Sequence, residues 1–495
     1  MINIPQVKLG IVAVSRDCFP ITLSEKRRQA VAAVLTRKGF PIYECPIVIE
    51  GGIDANVMDA YEDLVRAEVN ALVVYLGNFG PEGPETLIAR KFNGPVMYVA
   101  AAEEDTAILS SERGDAFCGM LNASYNLKLN GINAYIPEYP VGTAEECADM
   151  IADFVPVART LLGLKDLKII TFGPRPFDFL ACNAPIAPLF RLGVNIQENS
   201  ELDLLKAYRQ HTDDPRIPAK IAEMEAELDD GNKMPGILPR LAQYELTLLD
   251  WIESNRGAAK YIVLANKCWP AFQTEFGFVP CYVNSRLTAM GYCTACEVDI
   301  YGALSEYIGT CVTGEPVTLL DINNTVPADM YQSEIAGKYP YRHNETFMGF
   351  HCGNTPMCRL TKGKMSYQLI MHRGLEKGGE PDITRGTLEG DILPGDVTFY
   401  RLQGNKDSVL QAYVAQGEVL PVATRSFGGI GVFAIPEMNR FYRHVLIEGG
   451  YPHHGAVAFG KAGKAIFSVL KLLGVEKVCY NQPAGILYPT ENPFA

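Results

Sequence analysis

Two carboxylates 24 positions apart, Glu297 and Asp321, are the residues of this 495-residue chain best placed to do chemistry. Glu297 follows a strand-like apolar run over residues 292–296, and Asp321 follows another over residues 316–320, with helical spacing over residues 300–311 between them. This order predicts a βαβ unit with parallel strands, so both carboxylates reach the edge where ligands bind in open α/β sheets. Adjacent carboxylates repel one another unless a cation or a shared proton lies between them, and a divalent ion is the simplest solution.

Each of these acidic residues also has an ordinary structural interpretation. Glu297 can cap the helix that follows it, and Asp321 can begin a turn after its strand. Asp299, two residues after Glu297, is placed to support a metal site from behind its ligands. The carboxylate pair taken alone leaves both interpretations open.

Histidine is scarce, with seven in the chain, and two of them are adjacent at His453 and His454 in a glycine-flanked turn. Imidazole is a good ligand for several transition metals, so this pair is a candidate for the same ion. His351, in the segment Phe-His-Cys-Gly-Asn, is a second candidate. Any one of these histidines can equally be a surface residue or a satisfied core residue.

The elements that must position these residues alternate along the first two thirds of the chain. Strand-like runs and helical patterns predict strands at residues 8–15, 42–49, 71–76, 96–101, 167–172 and 261–265, and helices at 25–38, 56–68, 84–91, 220–228 and 238–253. Later runs, such as residues 397–402 and 409–414, alternate between turn residues. We therefore expect an α/β protein with two doubly wound parallel-sheet domains, residues 1–165 and 166–325, followed by a β-rich carboxyl-terminal domain, residues 326–495.

Composition excludes several classes of function. The net charge is −13 and there is no long Lys/Arg block, so nucleic acid and anionic membranes are disfavoured as partners. The longest apolar runs have the length of a strand, and no export segment is evident, so a cytoplasmic location is expected. The thirteen cysteines are irregularly spaced, which is typical of buried thiols in a reducing compartment rather than of disulfides or zinc ligands.

The motif Glu297-x-Asp299, the spacing to Asp321, and the late His454-Gly455-Ala456 resemble the L-fucose isomerase and L-arabinose isomerase superfamily. The resemblance implies that Glu297, Asp321 and His454 hold Mn²⁺, or another divalent ion such as Co²⁺ or Mg²⁺. It also implies that Glu297 and Asp321 are the catalytic residues that move protons. A homo-oligomer, in this superfamily a hexamer, is a further implication.

The resemblance extends to the sugar site. Arg16 is similar to a substrate-contacting arginine, and the turn that begins at Gly173 resembles one that ends in a methionine at the sugar site, where this chain has Phe177. Trp269 can stack on a sugar face, although a tryptophan is more often a core residue. His351 completes the expected set of substrate contacts.

The chemistry fits these residues independently. An aldose and its ketose differ by a proton moved between C2 and C1 through an ene-diol, which needs an acid/base carboxylate and stabilisation of a developing oxyanion. A metal-dependent aldose–ketose isomerase acting on a monosaccharide is therefore the leading hypothesis. The alternatives are a non-catalytic sugar-binding protein and a metal-dependent epimerase or aldolase.

The substrate is a 6-deoxyhexose, a pentose or a hexose modified at C6, such as the sulfonated sugar sulfoquinovose. An anionic substituent at C6 needs cations near the site. Four candidate cations are Arg16, Arg175, Lys267 and Arg425. The ordinary alternative is that these cations pair with surface carboxylates.

Overall fold

The computed structural model of the chain describes residues 1–51, 54–368 and 384–494. Backbone contacts divide the chain into two compact units, the amino-terminal unit Pro5–Leu162 and a larger unit formed by Met1–Ile4 with Gly163–Ala495. Among the helices of the described ranges, none is long and apolar enough to cross a membrane. The expected division into three domains, at residues 165/166 and 325/326, stays a prediction.

A parallel sheet lies at the centre of the amino-terminal unit. In the part of this unit that the structure describes it has the strand order β2-β1-β3-β4-β5, with β1 Leu9–Val14, β2 Ile42–Glu44, β3 Ala71–Leu76, β4 Val96–Ala101 and β5 Val141–Gly142. The helices are α1 Ile21–Arg37, α2 Ala55–Arg66, α3 Glu82–Lys91, α4 Ala116–Leu129 and α5 Ala144–Lys165. Every residue of β1, β3 and β4 is buried, as expected for a parallel sheet that helices cover on both faces.

The strand predictions for this unit are confirmed with one adjustment. Continuous apolar runs predicted β1, β3 and β4, because strands buried on both faces lack a polar alternation. The strand predicted at residues 42–49 ends at Glu44. Pro46 follows closely, and a proline has no N–H to contribute to a strand ladder.

The larger unit begins with a second parallel sheet. In the described residues it has the order β7-β6-β8-β9, with β6 Leu167–Gly173, β7 Asn195–Ser200, β8 Tyr261–Asn266 and β9 Thr294–Ala295. Its helices are α6 Ala187–Arg191, α7 Glu201–Gln210, α8 Ile217–Leu228, α9 Leu238–Asn255, α10 Ala271–Phe276, α11 Cys281–Met290 and α12 Ile300–Thr313. The strands and helices predicted from residue 167 to residue 265 are present.

A large mixed sheet completes the larger unit. Over the described ranges its order is β12-β13-β16-β11-β10-β17-β14-β15-β18. The strands are β10 Thr318–Asn324, β11 Thr346–His351, β12 Lys364–Ser366, β13 Thr387–Asp391, β14 Gly395–Gly404, β15 Leu410–Leu420, β16 Gly429–Ala434, β17 His454–Phe459 and β18 Lys477–Tyr480, with helices α13 Ala328–Met330, α14 Met438–Phe441 and α15 Gly463–Leu472. Two parallel α/β sheets followed by a β-rich region confirm the predicted fold class.

The predicted parallel pairing of the strands on either side of α12 is wrong. Strand β9 belongs to the parallel sheet, whereas β10 belongs to the mixed sheet and pairs antiparallel with β11 and β17. Helix α12 is buried over almost all of its length and contacts strands of both sheets. A helix that is apolar all round can be covered by two layers. The strand that follows α12 accordingly belongs to the mixed sheet instead of returning to the parallel sheet.

Candidate active site

Glu297 lies on a strained connection between β9 and α12. Glu297 and Val298 both have left-handed backbone conformations, with φ angles of 61° and 58°. The Val298 N–H donates to the Asn266 carbonyl at 3.0 Å, and the Asp299 N–H donates to the Cys296 carbonyl at 3.2 Å. Such conformations cost about 1–3 kcal/mol each in residues other than glycine, persist only where the surroundings hold them, and concentrate at functional sites.

The ordinary structural interpretations of the two carboxylates are both wrong. The helix cap of α12 is Asp299, whose Oδ1 accepts a hydrogen bond from the Gly302 N–H at 2.8 Å. Asp321 lies inside β10 rather than at the start of a turn. Neither Glu297 nor Asp321 is therefore needed to end a secondary-structure element.

The register of the mixed sheet brings Asp321 and His454 together. Asp321 of β10 is directly opposite His454 of β17. Residues in this relation share one face of a sheet, with Cβ atoms about 4.5–5.5 Å apart. Glu297 reaches the same place from the end of the parallel sheet. We call Glu297, Asp321 and His454 the carboxylate–histidine cluster.

His454 Nε2 lies close to one oxygen of each carboxylate of the cluster. His454 Nε2 lies 3.4 Å from Glu297 Oε2 and 3.3 Å from Asp321 Oδ1. Within the part of the chain that the structure describes, His454 Nε2 and Asp321 Oδ1 are buried and have no hydrogen-bond partner. Buried polar atoms nearly always have partners, so this arrangement needs a further group to satisfy it.

A buried ion pair sets the orientation of His454. His454 Nδ1 lies 2.8 Å from Asp299 Oδ2, and Arg401 binds both oxygens of Asp299, at 2.8 Å and 3.0 Å. Arg401 also donates to Gln403 Oε1 at 2.6 Å. Because Asp299 accepts the Nδ1 proton, the Nε2 lone pair is directed at Glu297 and Asp321. A carboxylate behind a histidine has this role in many metal sites.

The charges around the cluster are strongly coupled. Burial opposes ionisation of Asp299, but Arg401 and His454 outweigh it and hold its pKa well below the usual range. Burial likewise opposes the charge on His454, while Asp299 and the other acidic neighbours raise its pKa. Burial raises the pKa of Asp321 to about 7, and His454 only partly offsets this. Without another cation, a proton on His454 is what balances these carboxylates.

The donor set fits a divalent metal ion. Bonds of about 2.0–2.2 Å at angles between 90° and 110° place neighbouring ligand atoms about 2.8–3.6 Å apart. The distances from His454 Nε2 to Glu297 Oε2 and to Asp321 Oδ1 fall in this range. Two carboxylate oxygens and one imidazole nitrogen suit Mn²⁺, Co²⁺, Mg²⁺ or Zn²⁺. Glu297, Asp321 and His454 are thus candidate ligands for such an ion.

In the described residues, three groupings of possible ligand atoms lie within 4.8 Å of one another, and two of them fit a metal poorly. Cys182 Sγ lies 3.8 Å from His454 Nδ1, the nitrogen already occupied by Asp299, and burial raises the pKa of this thiol to about 11. His211, Asp214 and Asp250 also lie together. Arg216 binds both of these aspartates, so their charge is already compensated.

His351 and His453 flank the cluster. The ligand atoms of His351, Asp321 and His454 lie within 4.8 Å of one another, and His453 Nε2 lies 3.7 Å from Asp321 Oδ1. Burial lowers the pKa of His351 and of His453 to about 4, so both imidazoles are neutral near neutral pH. Neutral imidazoles can accept or donate one hydrogen bond to a bound hydroxyl group.

An aromatic wall stands beside the cluster. Trp269 Nε1 donates to Glu297 Oε1 at 3.3 Å, and the Phe177 ring lies 5.8 Å from the Trp269 ring. The Phe179 ring centroid lies 6.2, 5.5 and 6.4 Å from the ring centroids of Trp269, His453 and His454, respectively. Phe177 is 74% exposed and has a φ angle of 34°, so this wall faces solvent on a strained turn.

Arg16 belongs to the amino-terminal unit. It follows β1, its Nη2 lies 3.0 Å from Glu82 Oε1, and its Nε donates to the Gly80 carbonyl at 3.1 Å. Its expected contact with the substrate stays a prediction.

Sequence reasoning missed Phe179 and Arg401. Phe179 lies two residues after Phe177, so the turn that singled out Phe177 also contained it. Arg401 alternates with Val397 and Phe399 on one face of β14. A charged residue at a core position of an apolar strand signals a buried partner, because an unpaired buried charge is very costly.

Family comparisons agree with this architecture. Residues 10–165 match the amino-terminal domain of fucose/sulfoquinovose isomerases, and residues 349–481 match the carboxyl-terminal domain of L-fucose isomerase. Together these matches cover more than half of the chain. The fold and these matches define an aldose–ketose isomerase, an enzyme that moves a sugar carbonyl between C1 and C2. The chain belongs to the L-fucose isomerase superfamily, which confirms the resemblance in its motifs.

Three similar proteins carry the name sulfoquinovose isomerase. The protein from Clostridium sp. is 22% identical over 371 residues, which are 74% of this chain and 77% of that protein. The protein from Alkalicoccus urumqiensis is 24% identical over 361 residues, 70% of this chain and 72% of the relative. The protein from Priestia megaterium is 25% identical over 333 residues, 66% of this chain and 67% of the relative.

Proposed function

We propose that this enzyme interconverts an aldose and a ketose through an ene-diol, with a divalent ion held by Glu297, Asp321 and His454. Mn²⁺ is the preferred ion, and Co²⁺ or Mg²⁺ can replace it. The observation that carries the proposal is the position of His454 Nε2, which lies 3.4 Å from Glu297 Oε2 and 3.3 Å from Asp321 Oδ1. In the described residues His454 Nε2 and Asp321 Oδ1 are both buried without a hydrogen-bond partner. A bound ion would polarise the sugar oxygens as a Lewis acid.

The chain's own residues move the protons in this proposal. Glu297 and Asp321 exchange protons with the sugar at C1, C2 and their hydroxyl groups, as general acid/base catalysis requires. Asp299, held by Arg401, keeps His454 Nε2 directed at the cluster. The hydrogen bond from Trp269 holds Glu297 in place.

The aromatic wall and the flanking histidines would bind the sugar. Phe177, Phe179 and Trp269 offer ring faces for the C–H surface of a pyranose, whereas His351 and His453 offer hydrogen bonds to hydroxyl groups. The larger unit thus contains both an apolar and a polar contact surface next to the carboxylates. A homo-oligomeric assembly and a cytoplasmic location complete the proposal.

The proposed substrate is a hexose with a sulfonate at C6, and sulfoquinovose is the first candidate. The names of the similar proteins support this choice. So does Arg175, which lies on the same turn as Phe177. Its Nη2 donates to Asn183 Oδ1 at 2.7 Å, and Asn183 follows Cys182, whose thiol contacts His454.

Charge pairing separates Arg175 from the other candidate cations of the larger unit. Lys267 is buried and lies 2.6 Å from Glu201 Oε2, and Arg425 lies 3.4 Å from Glu334 Oε1. Arg175 instead donates to the Asn183 amide oxygen, and an amide does not neutralise its charge. Arg175 is therefore the cation we assign to the sulfonate.

The experiment that tests the function is NMR spectroscopy in D₂O with Mn²⁺ and a panel of sulfoquinovose, L-fucose, D-arabinose and L-arabinose. We expect ketose formation and deuterium incorporation at C2 with sulfoquinovose, both removed by a chelator. Epimerised or cleaved products would assign the chain to the alternative enzyme classes. Sugar binding without exchange at C2 would show a non-catalytic binding protein.

The substrate assignment has its own test. The Arg175→Gln variant should lower kcat/KM for sulfoquinovose relative to L-fucose by about tenfold or more, because a hydrogen bond to a charged group contributes about 1.5–3 kcal/mol. Arg175→Lys should restore part of this ratio, and Arg425→Gln should leave it unchanged. An unchanged ratio in Arg175→Gln would refute the role of Arg175 without touching the isomerase proposal.

A further inference from the structure

One exposed face of helix α4 is apolar along its whole length. Phe117, Leu121, Tyr125 and Leu129 are 59%, 65%, 63% and 64% exposed. Residues four positions apart are neighbours on a helix surface, so the four side chains form one row. At 1.5 Å per residue this row is about 18 Å long. We call these four residues the α4 face.

The opposite side of α4 is also apolar, and it is buried. It packs through Ala116, Met120, Ala123 and Leu127. The helix thus has apolar residues on two opposite faces, and a contiguous exposed apolar face marks an interaction site more often than an ordinary surface does. Among its fourteen residues α4 has one charged residue, Lys128, whereas α2 in the same unit has four among twelve. Helix α4 therefore lacks the polar outer face of an ordinary surface helix.

We propose that the α4 face docks against the α4 face of a second copy of this chain. Two copies that each carry a net charge of −13 repel one another over most of their surface. The α4 face contains no carboxylate, so contact there avoids close pairs of like charges. A strongly basic partner would gain no charge complementarity from this neutral face.

The shape of the face suits a two-fold contact. Rows of side chains spaced at four residues pack into the matching grooves of a second helix, at a crossing angle of about −50°. A two-fold axis pairs a patch with itself, which requires a self-complementary surface. An apolar row on each copy meets this requirement without a separate complementary patch.

The exposed area is sufficient for the centre of an interface. At roughly 100–130 Å² for each partly exposed large side chain, the face presents about 400–500 Å², against about 800 Å² per partner in a standard interface. Cys118, Ser124 and Lys128 supply a more polar rim. On one flank, Asn122 and Asn126 donate to the carboxylate of Glu82 at 2.8 and 3.2 Å, so these amide groups have partners before docking.

Sedimentation velocity of the full-length protein tests the proposal. We expect a dimer or larger assembly in the wild type. Leu121→Glu would place like charges opposite each other, which costs several kcal/mol and should raise the dissociation constant about 100-fold or more. Leu202→Glu is the matched control, because Leu202 is an exposed apolar residue of α7, at 71% exposure. It should leave the assembly unchanged.

Three results would overturn the proposal: a monomeric wild type, a Leu121→Glu variant that assembles like the wild type, or equal dissociation by both variants. Higher salt gives a further check. Because screening reduces the repulsion between two negatively charged copies, association should strengthen as ionic strength rises. Weaker association in salt would indicate an ion-paired interface and contradict an apolar one.

A measurement on the unmodified protein avoids any folding defect of a variant. Cys118, Cys18 and Cys358 are exposed cysteines, and Cys118 adjoins Phe117 of the α4 face. Maleimide labelling followed by peptide mass spectrometry should show Cys118 slowing by about tenfold or more as assembly proceeds, since labelling then tracks the free fraction. Cys358 serves as the reference. Equal labelling rates at Cys118 in dilute and concentrated protein would contradict the proposal.

Discussion

Glu85 in the amino-terminal unit and the carboxylate–histidine cluster in the larger unit are both buried acidic sites, but their neighbours differ. Glu85 is fully buried, and neither of its carboxyl oxygens has a hydrogen-bond partner in the described residues. Burial raises its pKa to about 8, and the nearby Glu82 adds to this rise. Glu85 is therefore a neutral acid near neutral pH.

The cluster contains the same kind of buried oxygen but with converging donors. Burial alone would also protonate Asp321, whose pKa rises to about 7. His454 Nε2, however, lies close to Asp321 Oδ1 and also to Glu297 Oε2. Burial by itself neutralises a carboxyl group, whereas a buried imidazole nitrogen without a hydrogen-bond partner, next to two carboxylates, indicates a site for a cation.

The largest expected effect comes from removing a ligand. Glu297→Gln and Asp321→Asn should each lower kcat by about 10³-fold or more, since each removes both a proton carrier and a metal donor. Bound Mn²⁺, measured after dialysis, should fall with activity. Glu85→Gln is the matched control and should keep wild-type turnover. Substantial activity in both cluster variants would remove the basis of the comparison.

Glu85 should control stability rather than catalysis. Its pKa is raised from 4.5 to about 8 on folding, so the folded state holds the proton and wild-type stability falls as pH rises through that window. Glu85→Gln removes this titration. The free energy of unfolding of the variant should therefore exceed that of the wild type by a margin that grows between pH 5 and pH 8.5, by up to about 4 kcal/mol.

Urea unfolding at the two pH values measures this difference. The Glu85→Gln variant and the wild type should be similar at the lower pH, where both carry a neutral side chain. A difference that does not change with pH would show that Glu85 is ionised in the folded protein. The contrast between the two buried sites would then fail.

The support behind His454 should have an intermediate effect. Asp299→Asn keeps a helix-capping residue but weakens the pairing with Arg401 and His454. Mn²⁺ affinity, measured by calorimetry on metal-free protein, should fall about 10–100-fold, as is typical when a partner of a metal ligand is lost. Asp214→Asn, in the ion-paired group at Arg216, should not change this affinity.

The smallest effect is expected at the aromatic wall. Trp269→Phe keeps an aromatic ring but removes the hydrogen bond to Glu297. This hydrogen bond is long, at 3.3 Å, and a typical hydrogen bond contributes about 0.5–1.5 kcal/mol net, so kcat/KM should fall by roughly 2–13-fold. Trp251→Phe makes the same replacement at a buried Nε1 without a hydrogen-bond partner among the described residues. It should leave kcat/KM near the wild-type value.

Sequence reasoning named the members of the candidate site but predicted the wrong strand pairing to bring them together. Glu297, Asp321 and His454 were named from their motifs, and the structure brings them together. The expected reason, two parallel strands of one sheet, was wrong. An apolar helix such as α12 contains no signal for which of two sheets its next strand joins, so the register of Asp321 opposite His454 could not be derived.

Long-range pairing explains the other differences. The buried strands of the amino-terminal sheet were predictable because a continuous apolar run of strand length is a local signal. The link between Arg401 and Asp299 spans 102 residues and depends on the pairing of distant strands. Phe179 was within reach of sequence reasoning, because the turn with Phe177 already marked its segment.

The most direct test of the central claim is anomalous diffraction at the manganese absorption edge from crystals grown with Mn²⁺. We expect one strong peak bonded to Glu297, Asp321 and His454, at distances of about 2.0–2.3 Å. The peak should be absent in Asp321→Asn crystals and present in Glu85→Gln crystals. A peak elsewhere, with the cluster empty in an enzyme that still isomerises its sugar, would contradict the account.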